Sequence, residues 1–493
     1  MKFRLLIVFL YLLSSGKTEA QKQIVLSLGK AIELAKNHSL DAQLARFRYL
    51  GSYWTYRSFR AELLPSATLS GSLMDYSRST EQVRNYEDGK ISYVNTNQLS
   101  NSLSLSVTQQ IPGIGGYLSI ESYLYRLDQF TYDERMYNSQ PFRLTYSQPL
   151  RSYNTLKWRK KTEPLSYENS RRTYLEQMED ITLKVTSLFF SVLSAQSSYS
   201  QSLSIKNERS LLYEQNLRRF ELGTISKSEL LQLELSQLNA DVAVKSNRLE
   251  LDKARFELFS YLQARDYDLV ELQVPQFIPD MILTEEDVYL RAAQNSTYQL
   301  VNKLNLLEGE RALAEAKSRH GIQMSLHGLI GMNKTGSTIR DVYSGFHGNE
   351  VVGLSLSMPL FDWGVNKGKV QIAKSNLEVI KTRIEQAAQE FRQTIHTQVS
   401  MFNDQGEQCR NAQRAEQIAR ERYDLMLQRF KAGSVSVTEL NTAQQELEMA
   451  RIQSIAQLCD FWTSYYSIQK STLYDYLKHE ELTTDFEKLT NEQ

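Results

Sequence analysis

The chain has 493 residues, with 57 lysines and arginines against 57 aspartates and glutamates, and only 8 prolines and 21 glycines punctuate it. Balanced charge leaves no basic surface for nucleic acid, whose binding rests on clustered positive residues, and the sparse punctuation points to a few very long regular elements. At 41% hydrophobic residues and a mean hydropathy of −0.44, no mature segment reaches the roughly 20 apolar residues of a membrane-spanning helix, so a membrane crossing would need a barrel.

Taken in chain order, Met1-Lys2-Phe3-Arg4, the apolar run Leu5 to Leu13 and the small residues ending at Ala20 read as a secretory signal peptide over residues 1–20. Its removal takes away Lys2, Arg4, Lys17 and Glu19, leaving 54 basic and 56 acidic residues; no cysteine follows to carry a lipid anchor. A helix is expected over 26–62. Period-two alternation follows: Leu103, Leu105 and Val107 against Ser104, Ser106 and Thr108, then Phe142, Leu144 and Tyr146 against Arg143, Thr145 and Ser147. Weaker strands are expected over 67–76 and 117–127. Each is about 8 to 11 residues, the length of a tilted transmembrane strand, although a half-buried soluble sheet would alternate in the same way.

Residues 165–274 and 360–493 contain no proline, and an interior proline would cost a helix about 3 kcal/mol. Long helices are therefore expected over 163–222 and 224–263, parted at Gly223, and over 366–432 and 434–478, parted at Gly433. Between them, Pro275 and Pro279 mark a linker, a helix is expected over 284–319, and strands over 322–330 and around Leu354, Leu356 and Met358.

Two segments align without a gap at an offset of 210. Arg219-Phe220-x-x-Gly223-x-x-Ser226-x-x-Glu229-Leu230 lies over Arg429-Phe430-x-x-Gly433-x-x-Ser436-x-x-Glu439-Leu440, and Leu144-x-x-Ser147-x-Pro149-Leu150 over Leu354-x-x-Ser357-x-Pro359-Leu360. The chain thus reads as an internal duplication: a first repeat over 21–270, a linker over 271–283, a second repeat over 284–478 and a polar tail over 479–493. A 60-residue helix is about 90 Å long and must bury its apolar stripe on neighbours, which implies a coiled coil. Each returning leg is expected to stack on the opening helix of the other repeat. Six or fewer strands cannot close a membrane barrel alone, so several chains must share one.

With this order of helices, strands and repeated segments, the mature chain resembles the TolC family of outer-membrane efflux proteins. The resemblance is carried by Leu26-Ser27-Leu28-x-x-Ala31-Ile32-x-x-Ala35, Leu64-Pro65-Ser66, Pro359-Leu360-Phe361-Asp362-x-Gly364 and the two Arg-Phe-x-x-Gly segments. It implies an α+β membrane protein: a homotrimer in which each chain lends four strands to a 12-stranded barrel in outer-membrane lipid and helices to a periplasmic coiled-coil tunnel. It also implies docking on a periplasmic adaptor and an inner-membrane transporter. The strand region of the first half, about 84 residues against about 39, departs from this pattern. Ile111-Pro112-Gly113-Ile114-Gly115-Gly116 reads as the turn of an extra hairpin, which either stands outside the membrane or adds strands that widen the barrel toward 18; the first is preferred because Tyr117 to Tyr137 is rich in tyrosine and charge.

The resemblance places Gly223 and Gly433 at the periplasmic tips and Glu229 and Glu439 at acidic gate positions, with Thr442 and Val435 where some members carry a second acid and a basic latch. The simpler reading is that both glutamates favour a helix N-terminus. Phe220 and Phe430 are expected to brace the tips, and Arg219 and Arg429 to face an adaptor or solvent. Cys409 and Cys459 lie 24 residues before and 26 after Gly433, at similar height on antiparallel legs, so either a disulfide or two buried thiols is open. The six histidines show no zinc spacing, Gly113-x-Gly115-Gly116 lacks the helix a phosphate loop requires, and no nucleophile elbow is present. The expectation is a passive export duct without catalytic residues, metal or cofactor, for efflux or type I protein secretion; the rival is a soluble periplasmic coiled-coil adaptor.

Overall fold

The computed structural model describes residues 24–84, 89–264, 270–275 and 279–491; the expected leader lies outside them. The first pass through the fold is strand β1 (Ile24–Leu26), helices α1 (Leu28–His38) and α2 (Leu40–Glu62), strands β2 (Ser66–Arg84), β3 (Ile91–Ile111), β4 (Gly116–Gln129) and β5 (Glu134–Arg151), and helices α3 (Thr155–Glu221) and α4 (Lys227–Tyr261). The second is β6 (Val270–Leu272), α5 (Glu285–Asn295), α6 (Tyr298–His320), β7 (Gln323–Gly336), β8 (His347–Ser357), α7 (Val365–Lys431) and α8 (Val437–Thr472). A short hairpin, β9 (Tyr474–Asp475) and β10 (Glu480–Glu481), and α9 (Phe486–Asn491) close the chain.

Matching helices are nearly equal in length: 11 and 11 residues, 23 and 23, 67 and 67, 35 and 36. The offset between repeats is 257 at α1 and α5 but 210 at α3 and α7, so the first repeat carries 47 additional residues, all among its strands. Among the described residues no helix is long and apolar enough to cross a membrane.

Several boundaries differ from the sequence reading for local reasons. The opening helix is two helices because Ser39 serves both: its N–H donates to the Ala35 carbonyl at 3.0 Å, and its Oγ accepts from the Ala42 N–H at 3.2 Å. α3 begins eight residues before the expected 163, because Asn154 Oδ1 accepts from the Lys157 N–H at 2.9 Å and caps it. Pro164 therefore lies inside the helix, where it removes one backbone donor. α7 runs unbroken through Gly406. The last leg stops at Thr472, where Leu473 turns left-handed (φ +49°).

Contacts divide the chain into two units. One comprises Arg172–Ser296 with the residues before Tyr49 and from Glu390 onward, and is helical apart from short strand pairs. In it Leu283, Val288 and Ala292 pack on Ile395, Val399 and Phe402 of α7 and on Phe461, Tyr465 and Ile468 of α8. Glu179 of α3, 1% exposed, accepts from Lys36 Nζ of α1 at 2.7 Å and from Gln469 Nε2 of α8 at 3.2 Å. The expected stacking between repeats is replaced by contacts within each one: Tyr261 at the end of α4 donates to Asp41 of α2 at 2.9 Å, and Tyr476 beyond α8 donates to Asp287 of α5 at 3.1 Å.

The other unit, Tyr49–Arg171 and Thr297–Gln389, contains a six-stranded antiparallel sheet in the order β2-β3-β4-β5-β7-β8. The hairpin expected to stand outside is built into this sheet: β4 pairs with β3 from Ile111/Gly116 to Gln98/Gln129, and β5 pairs with β7 from Arg151/Met324 to Tyr137/Gly336. The reason lies in alternation. Tyr117, Glu121, Tyr123 and Tyr125 point to one face while Leu118, Ile120 and Leu124 point to the other, so the stretch that looked too polar for a lipid face is amphipathic.

Candidate functional site

The sheet register sorts its side chains into two faces. Leu69, Leu105, Ser122 and, further along the strands, Leu103, Leu124, Val107, Ile120, Leu144 and Ile330 follow one another across paired positions, and Leu326, Leu354, Leu356 and Val352 continue that face to β8. The opposite face presents Ser70, Ser104, Ser106, Ser119, Tyr123, Thr145, Ser147, Ser325, His327 and Ser355. On it Thr108 and Ser119 share a hydrogen bond at 3.1 Å, and Arg143 faces Glu121 at 3.9 Å, so opposite charges cancel locally. An apolar face backed by hydroxyls is the pattern of a strand wall between lipid and water.

The helical reversals are built twice from the same residues. At the end of α3 the Thr224 N–H donates to the Arg219 carbonyl and the Gly223 N–H to the Phe220 carbonyl, both at 2.9 Å; Ser434, Arg429, Gly433 and Phe430 repeat this at the same distances. This double closure needs a left-handed residue, supplied by Gly223 (φ +71°) and Gly433 (φ +76°). The returning helices open on Ser226 and Ser436. Ser226 Oγ accepts from the Glu229 N–H at 3.2 Å while the Ser226 N–H donates to Glu229 Oε2 at 2.8 Å, and Ser436 with Glu439 does the same at 3.3 and 2.7 Å. The spacing Arg-Phe-x-x-Gly-x-x-Ser-x-x-Glu is thus a helix stop followed at once by a capping box.

The two glutamates are therefore capping residues in the first instance. Both are fully exposed, and backbone hydrogen bonds from the capping serines hold their carboxyls below the ordinary glutamate range. Thr442 is exposed, with its hydroxyl turned back to the Thr438 carbonyl at 3.0 Å. Phe430 is buried with Leu212, Leu233, Tyr423, Leu440 and Leu447, and Val435 packs against that cluster; Phe220 is half-buried beneath the Lys227 ammonium. Arg219 leans on the other reversal, 3.9 Å from where a Cβ on Gly433 would stand, and Gln232 Nε2 bonds Thr438 Oγ1 at 3.3 Å. Cys409 and Cys459 are both free thiols, the first fully buried and the second half-buried beside Thr463.

Sequence reasoning missed Arg209, a 2%-exposed guanidinium on α3 that donates to Gln444 of α8 beside a Tyr423–Glu208 hydrogen bond of 2.5 Å. Nothing in its local sequence marks it, since burial comes from the neighbouring hairpin. Among the described residues no group of acidic, histidine or cysteine side chains could hold a metal ion.

Residues 303–465, running from α6 to α8, match the family model described as outer membrane efflux protein. No curated protein matches the chain by sequence, but solved outer-membrane channels match its fold from end to end. The Campylobacter jejuni channel CmeC aligns with a TM-score of 0.64 at 16% identity, covering 94% of this chain and 88% of that one. The channel OprN aligns at 0.65 and 14%, covering 90% and 89%. The Neisseria gonorrhoeae MtrE channel, solved in an open state, aligns at 0.59 and 13%, covering 93% and 91%. The TolC-like fold thus extends over both repeats, including the first, which the family model does not reach.

Proposed function

We propose that this chain is the passive outer-membrane duct of a tripartite export assembly: a homotrimer whose sheets sit in outer-membrane lipid and whose hairpins reach through the periplasm toward an adaptor and an inner-membrane transporter. The observation that carries this reading is the six-stranded sheet with one apolar and one hydroxyl-lined face, joined at Arg151–Thr155 and Ser357–Val365 to 67-residue helices. A soluble adaptor has no use for a continuous lipid-like face. In this reading the energy for export comes from the transporter.

At the reversals, Glu229 and Glu439 act as caps whose negative charge also faces the periplasmic mouth. Arg429, with the half-buried Phe220, supplies the surface an adaptor meets. Membrane fractionation followed by light scattering in detergent tests the whole reading. A trimer of the mature chain in the outer-membrane fraction is expected, and release with the soluble periplasm would overturn it.

A further inference from the structure

The sheet is open. Among the described residues β2 and β8 lie at its two edges, and neither has a strand on its outer side. In a bilayer each unpaired backbone N–H or carbonyl costs several kcal/mol, and six strands are too few to curl shut, since membrane barrels start at eight. The edges must therefore be met by something with the same apolar and hydroxyl faces. A second copy of the chain fits: six is even, so β2 and β8 run in opposite directions, and β8 of one copy meets β2 of the next antiparallel, as every other pair in the sheet does.

Whether β4 and β5 count as wall decides the size of the closed ring. Their outer residues Leu118, Ile120, Leu124 and Leu144 continue the apolar band between Leu103 and Val107 of β3 and Ile330 of β7, interrupted only by Ser122 opposite Leu105. Their inner residues Ser119, Thr145 and Ser147 continue the hydroxyl face. We propose that three copies close edge to edge into an 18-stranded barrel, in place of the 12 strands that the resemblance implies. Barrel diameter grows roughly linearly with strand number, so this duct is about 1.5 times as wide at the outer membrane as a 12-stranded one. Its wall is lined by serine, threonine and tyrosine, and it admits bulkier cargo without sorting by charge.

The inference rests on the trimeric duct proposed above, and its test keeps the two apart. In a chain lacking both native cysteines (Cys409→Ala, Cys459→Ala), Ser70→Cys on β2 is combined in turn with Val351→Cys, Ser355→Cys or Ser357→Cys on β8, and outer membranes are oxidised. Covalent dimers and trimers are expected from at least one pair. A 12-stranded barrel that leaves β4 and β5 outside would also join β2 to β8 but would seat β3 directly on β7, so a Thr108→Cys/Leu329→Cys disulfide formed within one chain would overturn the proposal. Electron cryomicroscopy of the wild-type trimer gives the second readout: eighteen strands are expected, and twelve would refute the inference while leaving the trimeric duct intact. A chain that is not a trimer would sink the duct reading itself.

Discussion

At the scale of single residues, the repeated segment at the reversals is a self-contained set of hydrogen bonds, so its energetics are local. Gly433→Ala places a Cβ on a residue held at φ +76°, which costs about 1–2 kcal/mol. Ser436→Ala removes a cap worth about 1 kcal/mol. Hydrogen exchange in the first turns of α8 should accelerate in both variants and stay unchanged at Leu458–Ile468. Both capping carboxyls are held low by hydrogen bonds to their charged form, so their contribution is complete above the ordinary glutamate range and is lost as pH falls through the lowered value. Exchange at 227–230 and 437–440 should accordingly rise only on the acid side of that range, and Glu229→Gln with Glu439→Gln should flatten the dependence. Burial pushes the Cys409 thiol up and shields it, so a maleimide should label it only after denaturation, and non-reducing electrophoresis should give no band shift from a disulfide. The motif itself was legible in sequence; its meaning was not, because the same Ser-x-x-Glu spacing serves a cap or an acidic mouth equally. Arg209 was illegible for a different reason, since its partner Gln444 is 235 residues away.

At the scale of elements, length was read well where the cause is cumulative and poorly where it is a single side chain. Proline-free runs gave the long helices to within a few residues at the reversals, whereas Ser39 and Asn154 moved boundaries that periodicity cannot register. The strands of the six-stranded sheet are 11 to 21 residues, longer than the expected 8 to 11, because backbone pairing continues past the stretches where apolar residues alternate. Averaging composition over the extra hairpin hid that its two faces differ and that it pairs into the sheet. Those faces give a direct test: Leu354→Arg on the apolar face should cost about 2–4 kcal/mol if it lies near the bilayer midplane, while Ser355→Arg next to it should be nearly neutral. Comparing folded yield in outer membranes with urea midpoints in detergent checks this, and equal effects would refute the assignment of faces. In the helical unit, Glu179 holds α1, α3 and α8 together, and Lys36→Met should cost about 3–5 kcal/mol by leaving its carboxylate buried without its cation, read as a fall in the thermal midpoint that Glu179→Gln in the same chain partly restores.

At the scale of the whole molecule, the duplication was plain from one register of motifs, but the change of offset from 257 to 210 needed the strands themselves, since inserted strands carry no counterpart to align. That inequality reaches beyond barrel width. Counted along the sheet, α2 leads into β2, β5 leads into α3, α6 leads into β7 and β8 leads into α7, so helices join at every strand except β3 and β4. With strands about 4.8 Å apart, the α2 and α3 junctions stand about 14 Å apart along the sheet edge, against about 5 Å for those of α6 and α7. The β3–β4 turn spans that gap, held by Gln148 Nε2 on the Ile114 carbonyl at 2.8 Å and by Asn154 Nδ2 on the Pro112 carbonyl at 2.9 Å. Below that arc α2 and α3 lean together, with Arg159 paired to Glu62 and lying 4.8 Å over the Phe59 ring, and Tyr56 stacked on Tyr167 at 4.8 Å, so the longer run of strand ends is carried by two helices in direct contact.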